Sequence, residues 1–358
     1  MAKDKMVYTI RNISSTCFPD IEDWIQVYRP SKGKGESSSR SRSNFGHPFY
    51  VHGIYRKTEG IVDLQFMKYS QLNGDLKLSV NIPNVFNGNA TTPKSDIPLE
   101  DLENIIHKEI KAVCHTSKLP GIREWSVTKD ETNIDIIGNS MDIDALFEAL
   151  LGTKVPRYTL DETYAERGTL YFYTGKKLEG SSSVISIYYK DRELAAKHET
   201  FNHNGEVLQP GECCLRIEIR NSKGPLKTAV KKTKKISKMF QNSSVSETVV
   251  STEYQINTIE RLVEVFRLDR IFLTKEELME VINNSSLSNK GKAACKKYIE
   301  FENGAGNIKK STYYRYKKIL KEMGFSPVYS CKRLKANLKN IHDYIVGETS
   351  FYWINELS

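Results

Sequence analysis

No stretch of the 358 residues approaches the ~20 consecutive apolar residues that a membrane-spanning helix needs, so no membrane partner is expected. The opening MAKDKMVYTIRN lacks the apolar stretch of a signal peptide, which makes the cytoplasm the expected location. The six cysteines (Cys17, Cys114, Cys213, Cys214, Cys295, Cys331) form no CxxC pair and no zinc spacing. That excludes a zinc ribbon or a disulfide framework and points to reduced thiols. Histidine is sparse as well: seven residues, scattered, with HPFYVH (47–52) wrongly spaced for a metal-binding His-apolar-His pair. Any metal site is therefore expected to be built from carboxylates. No internal repeat is apparent.

What is present is a foldable body and an uneven charge. With 39% hydrophobic and 10% aromatic residues the chain can bury a core, and its length suits two domains. The net charge is +9, but residues 226–345 hold 24 Lys/Arg against 12 Asp/Glu, so that segment carries +12 and the rest −3. A mildly acidic body joined to a strongly basic last third points to a polyanionic partner, nucleic acid first.

Short aromatic and β-branched runs (VYTIRN, PFYVHGIYRK, VDLQFMKYS, DLKLSVNIP) predict strands in the first part of the chain. Further strands are predicted at 124–136, 169–174, 184–190 and 213–220. Helices are predicted at 142–151 and over DIPLEDLENIIHKEIKAVC, whose Leu102, Ile105, Ile106, Ile110 and Val113 recur at helical spacing. SKGKGESSSRSRSN (31–44) has nothing to bury and reads as a loop. After residue 225 the pattern becomes helical: a Lys-rich helix or linker, then 255–268, 275–283, 289–302 and 307–323, parted by NNSS, NGAGN and GFSP. The expected architecture is α+β: a mainly antiparallel central sheet with flanking helices over 1–225, and a smaller, mostly helical basic domain over 226–358.

Alternation sorts each strand into two faces. In VISIYYK, Ile185, Ile187 and Tyr189 share the apolar face, leaving Tyr188 beside Ser186 and Lys190. In LRIEIR, Leu215, Ile217 and Ile219 point inward, while Arg216, Glu218 and Arg220 form what reads as an exposed charged ladder. In DETNIDI, Glu131, Asn133 and Asp135 make an acidic stripe. Acids on two strands with a tyrosine and a lysine on a third describe a site for phosphoryl chemistry. The carboxylates would hold Mg2+ or Mn2+, the phenol would attack phosphorus, and Lys190 would offset the developing charge.

Four stretches together resemble the gene II/gene X type rolling-circle replication initiators of filamentous phages and related plasmid proteins: IPNVFNGNA (82–90), WSVTKDETNIDI (125–136), the hairpin GTLYFYTGKKLEGSSSVISIYYKDREL (168–194) and LRIEIR. The resemblance spans about 82–220. It implies a metal-dependent DNA nickase that cuts one strand of a double-stranded replication origin, keeps the 5′ phosphate on a tyrosine, and rejoins the displaced single strand. By position Tyr188 is the nucleophile, with Lys190, Glu193 and Glu218 as neighbours and Glu131 in the place of the acid. Lys-Asp-Glu at 129–131 stands where the family has Arg-x-Asp, so Asp130, Glu131 and Asp135 stay open as ligands; the doubled tyrosine leaves Tyr189 as a second candidate. Host helicase and DNA polymerase are partners the resemblance implies, and a homodimer is open.

NIKKSTYYRYKKILKEMGFSP carries the strongest signal in the last third: a helix capped by Ser311 or Thr312 and ending at Gly324. Lys309, Lys310, Arg315, Lys317, Lys318 and Lys321, interleaved with Tyr313, Tyr314 and Tyr316, suit phosphate contact and base stacking. Arg216 and Arg220 are further candidates for DNA contact. The competing reading is an origin- or operator-binding replication regulator that does not cut. A tyrosine recombinase would need an Arg…His-x-x-Arg…Tyr arrangement that this chain lacks.

Overall fold

The computed structural model describes residues 2–14, 52–55, 61–68, 73–87, 97–113, 119–202, 207–337 and 352–356. The 31–44 loop, His47 and the last three residues of IPNVFNGNA lie outside them. The chain begins with strands β1 (Ala2–Ser14), β2 (His52–Tyr55), β3 (Ile61–Lys68) and β4 (Asn73–Asn81), then helices α1 (Ile82–Asn87) and α2 (Leu99–Val113). Strand β5 (Ser126–Asn139), helix α3 (Ser140–Leu151) and strands β6 (Thr159–Asp161), β7 (Thr169–Tyr173) and β8 (Ser183–Tyr189) follow. Next come α4 (Lys190–Ala195), β9 (Glu212–Ser222), α5 (Lys223–Ile236), α6 (Val245–Val250) and α7 (Thr252–Phe266). The last part holds β10 (Ile271–Phe272), α8 (Lys275–Asn284), α9 (Asn289–Glu302), α10 (Lys310–Glu322), β11 (Leu334–Asn337) and β12 (Tyr352–Glu356). The fold is α+β, a mainly antiparallel sheet with helices followed by a mostly helical C-terminal region.

Two compact units are interleaved in sequence: 2–132 with 221–255, and 133–220 with 256–358. The chain crosses between them at 132/133, 220/221 and 255/256, and the boundary expected near 225 falls within the stretch 221–255. The first unit contains β2-β3-β4-β1 and the start of β5 in that order, with β2/β3, β3/β4 and β1/β4 antiparallel. Met6, Tyr8 and Ile10 of β1 and Leu76, Leu78 and Val80 of β4 fill one side of this sheet, against Leu102, Ile106 and Ile110 of α2. Of the five residues expected at helical spacing, these three are buried and Ile105 is half-buried. The Lys-rich stretch after 226 is the helix α5, and it belongs here because Leu226 and Val230, one turn apart, enter the same core.

In the second unit the rest of β5 is followed in order by β9, β8, β7 and β6. β6/β7 and β7/β8 are antiparallel, whereas β12 runs parallel to β5, pairing Tyr352 with Ile136. Ile185, Ile187 and Tyr189 of β8 and Leu215, Ile217 and Ile219 of β9 pack with Leu146 and Leu150 of α3 and Ile259, Leu262 and Phe266 of α7. A smaller cluster holds α8, α9 and α10 together through Leu278, Ile282, Tyr298, Ile299, Tyr316 and Leu320. Thr274 and Glu277 close a capping box at the start of α8. Helix α10 starts at Lys310, one residue before the expected cap, with Lys309 as an N-cap that makes no side-chain bond. It stops at Gly324, whose φ of +80° is the left-handed conformation that a C-terminal glycine adopts readily. Among the described residues no helix is long and apolar enough to cross a membrane.

Candidate active site

Strand β8 ends at Tyr189 and α4 begins at Lys190, so two adjacent tyrosines close the strand with opposite surroundings. Tyr189 is 5% exposed, its ring packs on Phe147 at 5.2 Å between centroids, and its hydroxyl donates to Asp144 at 2.7 Å. Burial first, then the Asp144 carboxylate, pushes its phenol well above the usual range. Tyr188 faces the other way and is half-buried; its hydroxyl donates to Glu218 Oε2 at 3.4 Å, a long hydrogen bond.

A cleft of about 390 Å3 opens at this point, lined by Arg167, Gly168, Thr169, Tyr171, Tyr188, Tyr189, Arg192 and Glu193. Thr169 of β7 pairs with Tyr188, which puts Tyr171, two residues on, on the same face as Tyr188. Burial first, then Glu218, raises the Tyr171 phenol, while Arg220 opposes the rise, so Glu218 and Arg220 act on this face too. Arg192 lies with its guanidinium carbon 3.8 Å from the centre of the Tyr189 ring and a nitrogen 3.6 Å from Asp144. An exposed Arg167, at the end of a 3-10 turn, supplies a second guanidinium.

Gly168 shapes the cleft. Its φ is +73°, and a Cβ there would lie 2.7 Å from Tyr189 Cδ2. Gly168→Ala is expected to cost at least about 1–2 kcal/mol for the left-handed backbone alone, with the clash adding to it. Thermal denaturation checks this, and an unchanged midpoint would show that the turn relaxes freely.

Several residues expected at the site are placed otherwise. Arg216, read from alternation as part of an exposed ladder, is buried and grips Asp135 bidentately at 2.7 and 2.8 Å; the two side chains are 1% and 3% exposed. Neither is presented to DNA or to a metal ion, because β9 and β5 are neighbours and the pair closes between them. Lys190 is 5% exposed and donates to Glu193 at 2.6 Å, because the strand has already given way to a helix and alternation no longer aims it. Glu193 also pairs with Lys197. Burial pushes the Glu193 carboxyl up, but the hydrogen bonds from Lys190 and Lys197 together outweigh it and hold the group below its usual range. In the other unit Glu131 accepts Lys129 at 2.5 Å, and Asp130, fully buried, accepts the Tyr254 hydroxyl at 2.8 Å.

The magnesium or manganese site expected from Glu131, Asp135, Glu193 and Glu218 is therefore not assembled. Among the described residues no three acidic, histidine or cysteine side chains gather as metal ligands. Three of the four expected carboxylates are already paired with a cation, so the residues as placed do not fit the ion.

Lys309, the N-cap of α10, and Lys310, Arg315, Lys318 and Lys321 within the helix are exposed; Lys317 lies 3.4 Å from Glu264 of α7. The three tyrosines divide. Tyr316 is in the core, Tyr313 is half-buried edge-on to Tyr298, and Tyr314 is 59% exposed. Sequence reasoning missed Arg167, Tyr171 and Arg192. Arg192 sits inside the YYKDREL string and could have been found there; Arg167 carries no local signal. No family model and no curated protein sequence matches the chain.

Proposed function

We propose that this chain initiates rolling-circle DNA replication as a site-specific strand transferase, with Tyr188 as the nucleophile. The observation that carries the reading is the Tyr188 hydroxyl, set 3.4 Å from the Glu218 carboxylate in a cleft that Arg167 and Arg192 also line. Glu218 accepts the phenolic proton as the tyrosine oxygen attacks phosphorus. The P–O3′ bond breaks, a P–O(Tyr188) bond forms, and the departing 3′ oxygen takes up a proton. One phosphodiester replaces another, so no external energy source is needed and the step is reversible. The reverse reaction rejoins the displaced single strand. The two guanidiniums offset the extra charge on phosphorus at the transition state. Lys190 keeps Glu193 ionised and α4 in place, and no step here runs through a metal ion.

The exposed cations of α10 are suited to hold the duplex origin through its phosphates. Host helicase and DNA polymerase would act on the nicked product, and the cytoplasm is the compartment this activity requires. A second reading, a replication regulator that binds DNA without cutting it, is favoured by the scattered carboxylates. One experiment separates the two. The chain is incubated, with magnesium or manganese present, with supercoiled DNA of the replicon that carries its gene, and peptides left on 5′ ends are sequenced by mass spectrometry. The strand-transfer reading expects the peptide containing Tyr188; intact supercoil with bound protein favours the regulator.

A further inference from the structure

The sheet of the first unit buries one face, and its other face carries a different chemistry. A cavity of about 540 Å3 opens there, lined by Val7, Thr9, Lys77, Ser79, Thr128, Lys129, Ser222 and Lys223. It draws on four consecutive segments: β4, β1, β5, and the junction of β9 with α5. The register pairs Val7 with Ser79 and Thr9 with Lys77, so these four residues share a single face, three of them polar. Their neighbours in sequence, Met6, Tyr8, Leu76, Leu78 and Val80, fill the core on the opposite face. Three lysines and four hydroxyls line the cavity and no carboxylate does. Lys129 is steadied from outside the lining by Glu131, at 2.5 Å.

Charge continues beyond the cavity. Helix α5 starts at Lys223, and Lys223, Lys227 and Lys231 follow at four-residue intervals, all exposed, about 6 Å apart along the axis. Leu226 and Val230, three residues on from Lys223 and Lys227, enter the core beside the row, so the lysines flank the buried stripe and stay exposed. Lys223 holds a left-handed φ of +50°, a strained conformation for a side-chain-bearing residue, at the point where the cavity meets the helix. The Thr128 hydroxyl already donates to the Val7 carbonyl at 3.1 Å, but cations set among small polar side chains, with no aromatic ring and no acid in the lining, match a run of phosphates and offer nothing to read a base.

We propose that this cavity and the α5 lysine row form a phosphodiester track that holds a DNA strand by its backbone, independent of sequence. The track lies in the first unit, whereas the tyrosine cleft and α10 belong to the second. Its identification with DNA rests on the proposed function; its preference for phosphate rests on the lining alone.

The test is equilibrium binding of the full chain to a fluorescein-labelled 30-base-pair duplex, followed by anisotropy between 50 and 200 mM NaCl. K77Q/K223Q removes two track cations and leaves the Lys129–Glu131 pair intact. K176Q/K177Q, at an exposed hairpin turn, removes the same charge elsewhere. Each phosphate contact contributes a slope of about −0.9 to log K against log [salt]. K77Q/K223Q is therefore expected to flatten the slope by about 2 and weaken binding about tenfold at 150 mM, with K176Q/K177Q near the native value. Equal effects of the two variants, or none from K77Q/K223Q, would overturn the track. Displacement of the duplex by low-micromolar tripolyphosphate, seen with native chain and absent with K77Q/K223Q, would assign the cavity to a small phosphate compound and also overturn it. Binding needs no cutting, so a chain that shows the slope change but forms no tyrosine adduct would sink the strand-transfer reading and leave the track standing.

Discussion

Tyr188→Phe is expected to lower formation of the covalent DNA adduct by at least about 10³-fold, the scale of loss when a covalent nucleophile is removed. Duplex binding should stay close to native. The substitution removes one hydroxyl whose described partner, Glu218, is 3.4 Å away, and it keeps the half-buried ring. A folded Tyr188→Phe protein is therefore expected, and its circular dichroism and melting curve should overlay the native ones. Tyr189→Phe is the matched control. It gives up the 2.7 Å hydrogen bond to Asp144, at a cost of about 1 kcal/mol of stability, and should keep adduct formation. Reversal of that pattern, with Tyr189→Phe inactive and Tyr188→Phe active, would move the chemistry to a phenol that is buried, hydrogen-bonded and hard to ionise. Both variants retaining the adduct would remove this pair of tyrosines from the reaction altogether.

Asp135→Ala is expected to destabilise the fold by about 3–5 kcal/mol, the cost of leaving a buried guanidinium without its carboxylate. Against a total of about 5–15 kcal/mol for a domain, that is a large share. The effect follows from geometry: two bonds of 2.7 and 2.8 Å between side chains 1% and 3% exposed. Urea denaturation should show the midpoint falling, and refilling the site with apolar side chains in Asp135→Leu/Arg216→Met should recover most of the loss. A drop under about 1 kcal/mol for Asp135→Ala would mean that water reaches Arg216 and that the guanidinium is available to a ligand after all.

These two expectations also separate what was legible in the residues from what was not. Strand β8 could be sorted by eye: Ile185, Ile187 and Tyr189 alternate on one side, and all three are in the core. Leu215, Ile217 and Ile219 on β9 and the Leu102/Ile106/Ile110 row of α2 follow the same logic. Period-two and period-3.6 patterns are local, since each residue's direction depends on the backbone immediately around it. Helices α8 and α9 were legible within a residue for the same reason, with turn and capping signals at their ends.

Other features depended on neighbours distant in sequence. Alternation says which side of β9 Arg216 takes, but not that Asp135 of β5, 81 residues earlier, waits there to bury it. Of the stripe read as exposed, Arg216 is therefore interior, whereas Glu218 and Arg220 are half-buried. Lys190 escaped alternation because the strand stops one residue before it, and the helix places it against Glu193. Arg167 reaches the Tyr188 cleft through a 3-10 turn and a left-handed glycine, and no periodicity predicts that. β12 joins β5 in parallel from more than 200 residues away, through a pairing set by backbone bonds rather than by any side-chain pattern of its own.

The sequence alone thus determined the longer strands and helices, the apolar faces of β8, β9 and α2, and that Tyr188 and Tyr189 face opposite ways. Those choices follow from chain stereochemistry and hydrophobic periodicity over a few residues. Which polar faces are covered, which charges pair, and which arginines meet the phenol were decided only by the tertiary structure. Burial and ion pairing depend on groups that the chain brings together from far apart, and no local pattern encodes the partner.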